Sequence, residues 1–147
     1  MKYHKWTISL IVITLFFIMP QLGATILAEE AATGMDKRVV AVIGADGVQR
    51  VDVTGGEYYF DPNHIVVKVN IPVELMVRKA GGFIPHDIVV NAPEAGIDFK
   101  VDLKNDPQPI RFTPTKTGKY AMYCDKRFLF FKTHRAKGME GIIEVVE

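Results

Sequence analysis

With 147 residues and 18 Lys and Arg set against 17 Asp and Glu, the chain carries a formal net charge of +1, which excludes the strongly basic surface of a nucleic-acid binder. A single cysteine, Cys124, excludes an intrachain disulfide framework and any Cys-x-x-Cys redox pair. The length suits one ordinary domain with a single core behind an N-terminal segment.

Residues 1–28 read as a secretory signal. Lys2 and Lys5 give a positive start, Trp6 to Met19 are almost wholly apolar, and Ala28 offers a small residue for cleavage. An uncleaved anchor is the alternative, because the run "WTISLIVITLFFIMPQLGATILA" approaches the roughly 20 residues of a membrane span. Removing the signal leaves sixteen basic residues against 17 acidic ones, a net charge of −1, with nothing to attract an anionic membrane. The expectation is export to the periplasm or another extracytoplasmic space, with membrane association only if the segment is retained. "EEAATGMD" (29–36) has no apolar period and reads as a flexible leader to a domain spanning 37–147.

From there the punctuation is that of a β protein. "RVVAVI" (38–43), the turn "GADG" and "VQRVDV" (48–53) predict a hairpin. "EYYF" leads through "DPN" to the strand "HIVVKVN" (64–70), and "VELMVRK" (73–79) is the next, ended by "AGG". "HDIVV" (86–90), the alternating "IDFKVDL" (97–103), "PIRF" (109–112), "KYAMYC" (119–124) and "GIIEVVE" (141–147) complete the set. Eight or nine short strands without a long helix predict an all-β Greek-key sandwich. The longest stretch without a strand, 125–140, follows Cys124 directly, and a long loop in a compact domain is a place to expect function.

An unpaired thiol in an exported domain admits three readings: an inert buried side chain, an intermolecular disulfide, or a thiolate held by a metal. A trigonal copper site needs two imidazoles, one thiolate and a weak axial thioether. Cys124, His134 after nine intervening residues, and Met139 after four more supply three of these parts, and His86 at the start of a strand is well placed as the second imidazole.

These same residues carry a family resemblance. "GKYAMYCDK", then His134 and "RAKGMEGIIEVVE", resemble the C-terminal signature of the cupredoxins, "YYFDPNHIVVKVNIPVELMV" is similar to their opening strands, and "PHDIVV" to their first-histidine strand. The likeness covers about residues 57–147. It implies a cupredoxin-like sandwich binding one copper, as Cu(I) or Cu(II), through His86, Cys124 and His134 as equatorial ligands and Met139 as the axial one. It also implies a non-enzymatic electron carrier working between redox proteins such as a cytochrome or an oxidase.

Three departures from the family pattern matter. Nine residues separate the cysteine from the second histidine where two to four are usual, so "DKRFLFFKT" carries an insertion. Asp87 follows the first histidine where an asparagine is frequent, placing a negative charge beside the site. The lone thiol rules out a binuclear centre with two bridging thiolates. Within the insertion, Phe128, Leu129, Phe130 and Phe131 either bury themselves over the domain end or stay exposed. In the second case Lys126, Arg127, Lys132, Arg135 and Lys137 give a basic rim suited to an acidic partner. His64 reads as a surface residue, Tyr120 and Met122 share the face of Cys124, and Tyr58 and Tyr59 are core or edge aromatics.

Two other functions fit the ligand set: a periplasmic copper-delivery protein, and a copper enzyme of the nitrosocyanin type with an open coordination position. The complete four-ligand set without a methionine- or histidine-rich tract favours the carrier. Other catalysis has little support, since the chain has no serine-nucleophile motif, phosphate loop or zinc-type histidine pair.

Overall fold

The computed structural model describes residues 37–127 and 129–147; the expected signal (1–28), the leader (29–36) and Phe128 lie outside the described residues. Among the described residues eleven strands form: β1 Arg38–Val40, β2 Val42–Ile43, β3 Gln49–Gly56, β4 Tyr59–Asp61, β5 His64–Lys68, β6 Val73–Lys79, β7 Asp87–Ala92, β8 Ile97–Asp102, β9 Gln108–Phe112, β10 Gly118–Tyr123 and β11 Glu140–Val146. One sheet runs β1-β5-β11-β10-β7-β8, the other β2-β3-β6-β9 with β4 on β3. The predicted all-β sandwich is therefore the observed architecture.

Alternation along the strands supplies the core. Val51, Val53, Leu75, Val77 and Ile110 from the smaller sheet are buried, as are Ile65, Val67, Ile88, Val90, Ile143 and Val145 from the larger. Side chains of period two thus send one face of each sheet inward. Gln49 is the polar exception, 1 % exposed and fully engaged: its amide donates to the carbonyls of Lys68 and Ile71 at 3.0 and 3.1 Å and accepts from the Lys68 N–H at 2.6 Å. It ties the two sheets together where β3 begins and β5 ends.

The predicted first hairpin needs correction. Only Val42 and Ile43 pair with β3, opposite Arg50 and Gln49, whereas Arg38–Val40 run parallel to β5 in the other sheet. The chain changes sheets at Ala41, which is buried and whose N–H donates to the Val66 carbonyl at 2.8 Å. A small side chain is what lets the backbone pass between the layers. His64 also differs from expectation: it is half-buried, with Nε2 2.8 Å from a Glu144 carboxylate oxygen.

The strand order gathers the β3–β4 turn, the β6–β7 loop, the β8–β9 loop and the long β10–β11 connection at one end of the sandwich. His86, Cys124, His134 and Met139 all lie on those connections.

Candidate metal centre

The insertion in the nine-residue spacer does not separate Cys124 from His134 in space. The His134 N–H donates to the Lys126 carbonyl at 2.9 Å, and Arg127 pairs with Thr133 in an antiparallel bridge, closing the base of a small finger that carries Leu129, Phe130 and Phe131. Seen from the site, only Asp125 and Lys126 lie between cysteine and histidine. The insertion is a side excursion, and the direct path from Cys124 to His134 stays short.

The loop is then stitched shut. The Cys124 N–H donates to the Met139 carbonyl at 3.1 Å, the Arg135 N–H to the Cys124 carbonyl at 3.2 Å, and the Met139 N–H to the His134 carbonyl at 3.0 Å. A 3-10 turn over Arg135–Lys137, ended by Gly138 at φ 99°, reverses the chain between histidine and methionine. Cys124 falls one residue beyond the end of β10, and His86 one residue before β7.

Three donor atoms converge. Cys124 Sγ lies 3.5 Å from His134 Nδ1 and 4.0 Å from His86 Nδ1, and the two Nδ1 atoms are 3.1 Å apart. An ion at the centre of a trigonal set of two nitrogens and one sulfur, with metal–nitrogen about 2.0 Å and metal–sulfur about 2.3 Å, requires separations of about 3.5 Å between nitrogens and about 3.8 Å from nitrogen to sulfur. The observed triangle matches within a few tenths of an ångström. His86, Cys124 and His134 are all buried, and they are the cluster of metal-binding side chains found among the described residues.

Burial sets the protonation of the metal-free site. It pushes the Cys124 thiol up to about 11, with the Asp87 charge adding to the push and N–H groups of Asp87 and Lys126 opposing it. It lowers His86 to about 4, helped by His134 and Lys79, and lowers His134 below the usual imidazole value, helped by Lys137. Both imidazoles are thus neutral near pH 7 with lone pairs to offer, while the thiol must surrender a proton to become a ligand.

Asp87, the departure noted in the sequence, is fully buried and braces the centre. Its N–H donates to Cys124 Sγ at 3.4 Å and its carboxylate accepts from the Asp125 N–H at 2.7 Å. The other carboxylate oxygen has no hydrogen bond and faces Lys100 Nζ at 3.8 Å, while Lys100 also pairs with Asp125 at 2.7 Å.

Met139 is fully buried, with Met122 and Cys124, in the core cluster. A side chain on Gly55 would enter this space, since a Cβ there would stand 3.2 Å from Met139 Cε and would clash with Leu103 Cδ1. Gly55→Ala is expected to cost about 1–3 kcal/mol by overpacking, measured as a fall in the denaturation midpoint of the metal-free protein.

The sequence does not decide between core and edge for Tyr58, and its place is the main surprise of the site. Its ring stands edge-on to His134 at 5.1 Å between centroids and to His86 at 6.4 Å. The available signal was its parity with Phe60, which is buried; the turn geometry that swings it over the site left no mark in the sequence.

No protein-family model and no curated protein matches the chain. Among solved structures it is similar to the metal-binding domain of the Cu(I)-exporting P-type ATPase CopA of Streptococcus pneumoniae D39, with 26 % identity, a TM-score of 0.56, and coverage of 78 % of this chain and 100 % of that one. It is similar to reduced auracyanin from Roseiflexus castenholzii at 18 % identity and TM-score 0.52, covering 71 % and 100 %. The periplasmic domain of cytochrome oxidase subunit II of Bradyrhizobium japonicum follows at 20 % and 0.50, covering 67 % and 83 %. The two-sheet sandwich and these likenesses give the chain a cupredoxin-like fold, with the His-Cys-His cluster at one end of it.

Proposed function

We propose that the protein binds one copper ion through His86, Cys124 and His134, with Met139 as the axial thioether, and passes single electrons between redox proteins outside the cytoplasm. The observation that carries this reading is the buried triangle of two Nδ1 atoms and one Sγ. Thiolate plus imidazole is the donor set copper prefers over harder cations, and bound copper supplies a one-electron couple. The protein's part is to hold the donors in place and exclude water, since a rigid, dry site needs little rearrangement when its charge changes. Cu(II) titration followed by visible absorption tests the reading: one intense charge-transfer band saturating at one equivalent supports it, and a featureless spectrum removes it.

Copper delivery is the second reading, favoured by the 26 % identity to the metal-binding domain of a Cu(I) exporter. A carrier retains its ion through repeated reduction and reoxidation in the presence of a Cu(I) chelator. A delivery protein releases it.

The finger supports a partner-docking role. Leu129, Phe130 and Phe131 are 66, 99 and 59 % exposed, so of the two readings of the insertion the exposed one fits. Phe83, on the loop that carries His86, is fully exposed as well. Lys126 and Arg135 face Asp102 at 2.7 Å and Glu140 at 3.2 Å, so Arg127 and Lys132 are the better candidates for meeting an acidic partner. Converting both to glutamate is expected to slow electron transfer to an acidic redox protein about tenfold or more at low salt and to flatten its salt dependence. Stopped-flow rates across a salt series check this, and unchanged rates would remove the docking role.

A further inference from the structure

The two loop histidines do not share one environment. His134 is completely buried, and its Nε2, the ring nitrogen facing away from Cys124, has no hydrogen-bond partner among the described residues. A buried imidazole nitrogen without a partner is costly, and relief by water would require only an opening beside the ring. Tyr58 packs against this imidazole, edge-on at 5.1 Å between ring centroids, while it is itself only half-buried and so forms the outer layer there.

The placement of Tyr58 is held from two directions. It sits in the turn between β3 and β4 at φ 64°, the left-handed region that bulky residues seldom occupy and that costs on the order of 1 kcal/mol or more. From the other side, Lys137 Nζ donates to the Tyr58 hydroxyl at 2.9 Å and lies 4.2 Å from its ring centroid. Phe131, on the exposed finger, flanks the same ammonium at 5.7 Å. Lys137 belongs to the ligand loop and Tyr58 does not, so this contact fastens the loop to a turn 79 residues away in sequence.

We propose that Tyr58 determines access to the metal centre: its ring, latched by Lys137, shuts out water and small exogenous ligands on the His134 side. This rests on the copper reading for its consequence, because a covered site restricts the ion to electron exchange and a bare one would admit small-molecule chemistry. The cover itself is a property of the metal-free chain and is tested there. Tyr58 is a positioning and excluding residue that need not touch the ion.

Carbethoxylation of histidines by diethylpyrocarbonate, mapped by peptide mass spectrometry on the metal-free protein, reads the cover directly. His134 is expected to react slowly in the wild type and at least about tenfold faster in Tyr58→Ala, with a smaller rise at His86, whose ring is farther away. Tyr58→Phe and Lys137→Met, which keep the ring and lose the latch, are expected to fall between the two. Equal His134 rates in wild type and Tyr58→Ala would overturn the proposal, as would fast reaction in the wild type. If Tyr58→Ala does not fold, Tyr58→Leu, which keeps apolar bulk but not the breadth of the ring, is read the same way. In the copper-loaded protein, azide should leave the wild-type spectrum unchanged and perturb that of the variant; azide acting equally on both would count against the cover. A wild type with no copper band would overturn the copper reading instead, leaving the labelling result to decide the role of Tyr58.

Discussion

Under the proposed copper reading, Cys124→Ser is expected to abolish the intense visible band that Cu(II) would raise in the wild-type chain and to weaken copper binding by more than about a hundredfold, since it would delete a ligand and not merely a supporting contact. The geometry makes the outcome specific. Cys124 Sγ is the sole sulfur in the donor triangle, and serine offers a hydroxyl of nearly the same shape that stays protonated and is a poor partner for copper. The backbone bonds that close the loop, from the Cys124 N–H and to its carbonyl, survive the exchange, so the fold should remain. Absorption and EPR titrations of the two proteins, with circular dichroism as the check on folding, measure it. A band that persists in the variant would return Cys124 to the role of an inert buried thiol. A second readout needs no metal: with its thiol buried and pushed up to about 11, the wild-type chain should react with a disulfide reagent far more slowly than an exposed cysteine does.

How much of this could be read from the sequence depends on whether the signal was local. Strand positions followed from alternation and turn residues, and the gathering of His86, Cys124 and His134 was suggested by residue types that occur only once or a few times. The sheet switch at Ala41 was not legible, because "RVVAVI" is a uniform apolar run and the choice between β5 and β3 as partner is made by residues far along the chain. The same holds for His64, which looked like a surface residue until the parallel pairing of β5 with β11 set it beside Glu144. Nor did the spacing of nine residues reveal that the insertion closes on itself at Lys126 and His134; a count along the chain measures contour and not distance. The apolar tip of the finger, by contrast, could be read two ways because burial of Leu129, Phe130 and Phe131 depends on whether anything lies above them.

Asp87→Ala is expected to cost about 2–4 kcal/mol of folding stability, and Asp87→Asn much less. The aspartate is fully buried and accepts the Asp125 N–H at 2.7 Å, immediately after the cysteine. Alanine leaves that N–H without its acceptor, takes away a countercharge of Lys100 and opens a small void. Asparagine preserves the shape and the acceptor, and the bond from the residue-87 N–H to Sγ belongs to the backbone in either case. What asparagine removes is the negative charge. At an effective dielectric of about 20, a carboxylate beside the donor cluster and partly countered by Lys100 would be worth on the order of 1–2 kcal/mol to a bound ion, where a tenfold change in a one-electron equilibrium constant corresponds to roughly 60 mV. That charge favours Cu(II), so Asp87→Asn should raise the reduction potential by roughly this amount while leaving the denaturation midpoint nearly unchanged, and Asp87→Ala should lower the midpoint as well. Voltammetry and denaturant titration separate the two effects. A potential that does not rise in Asp87→Asn would mean that Lys100 already cancels the carboxylate at the metal, and the brace would then act through the backbone alone.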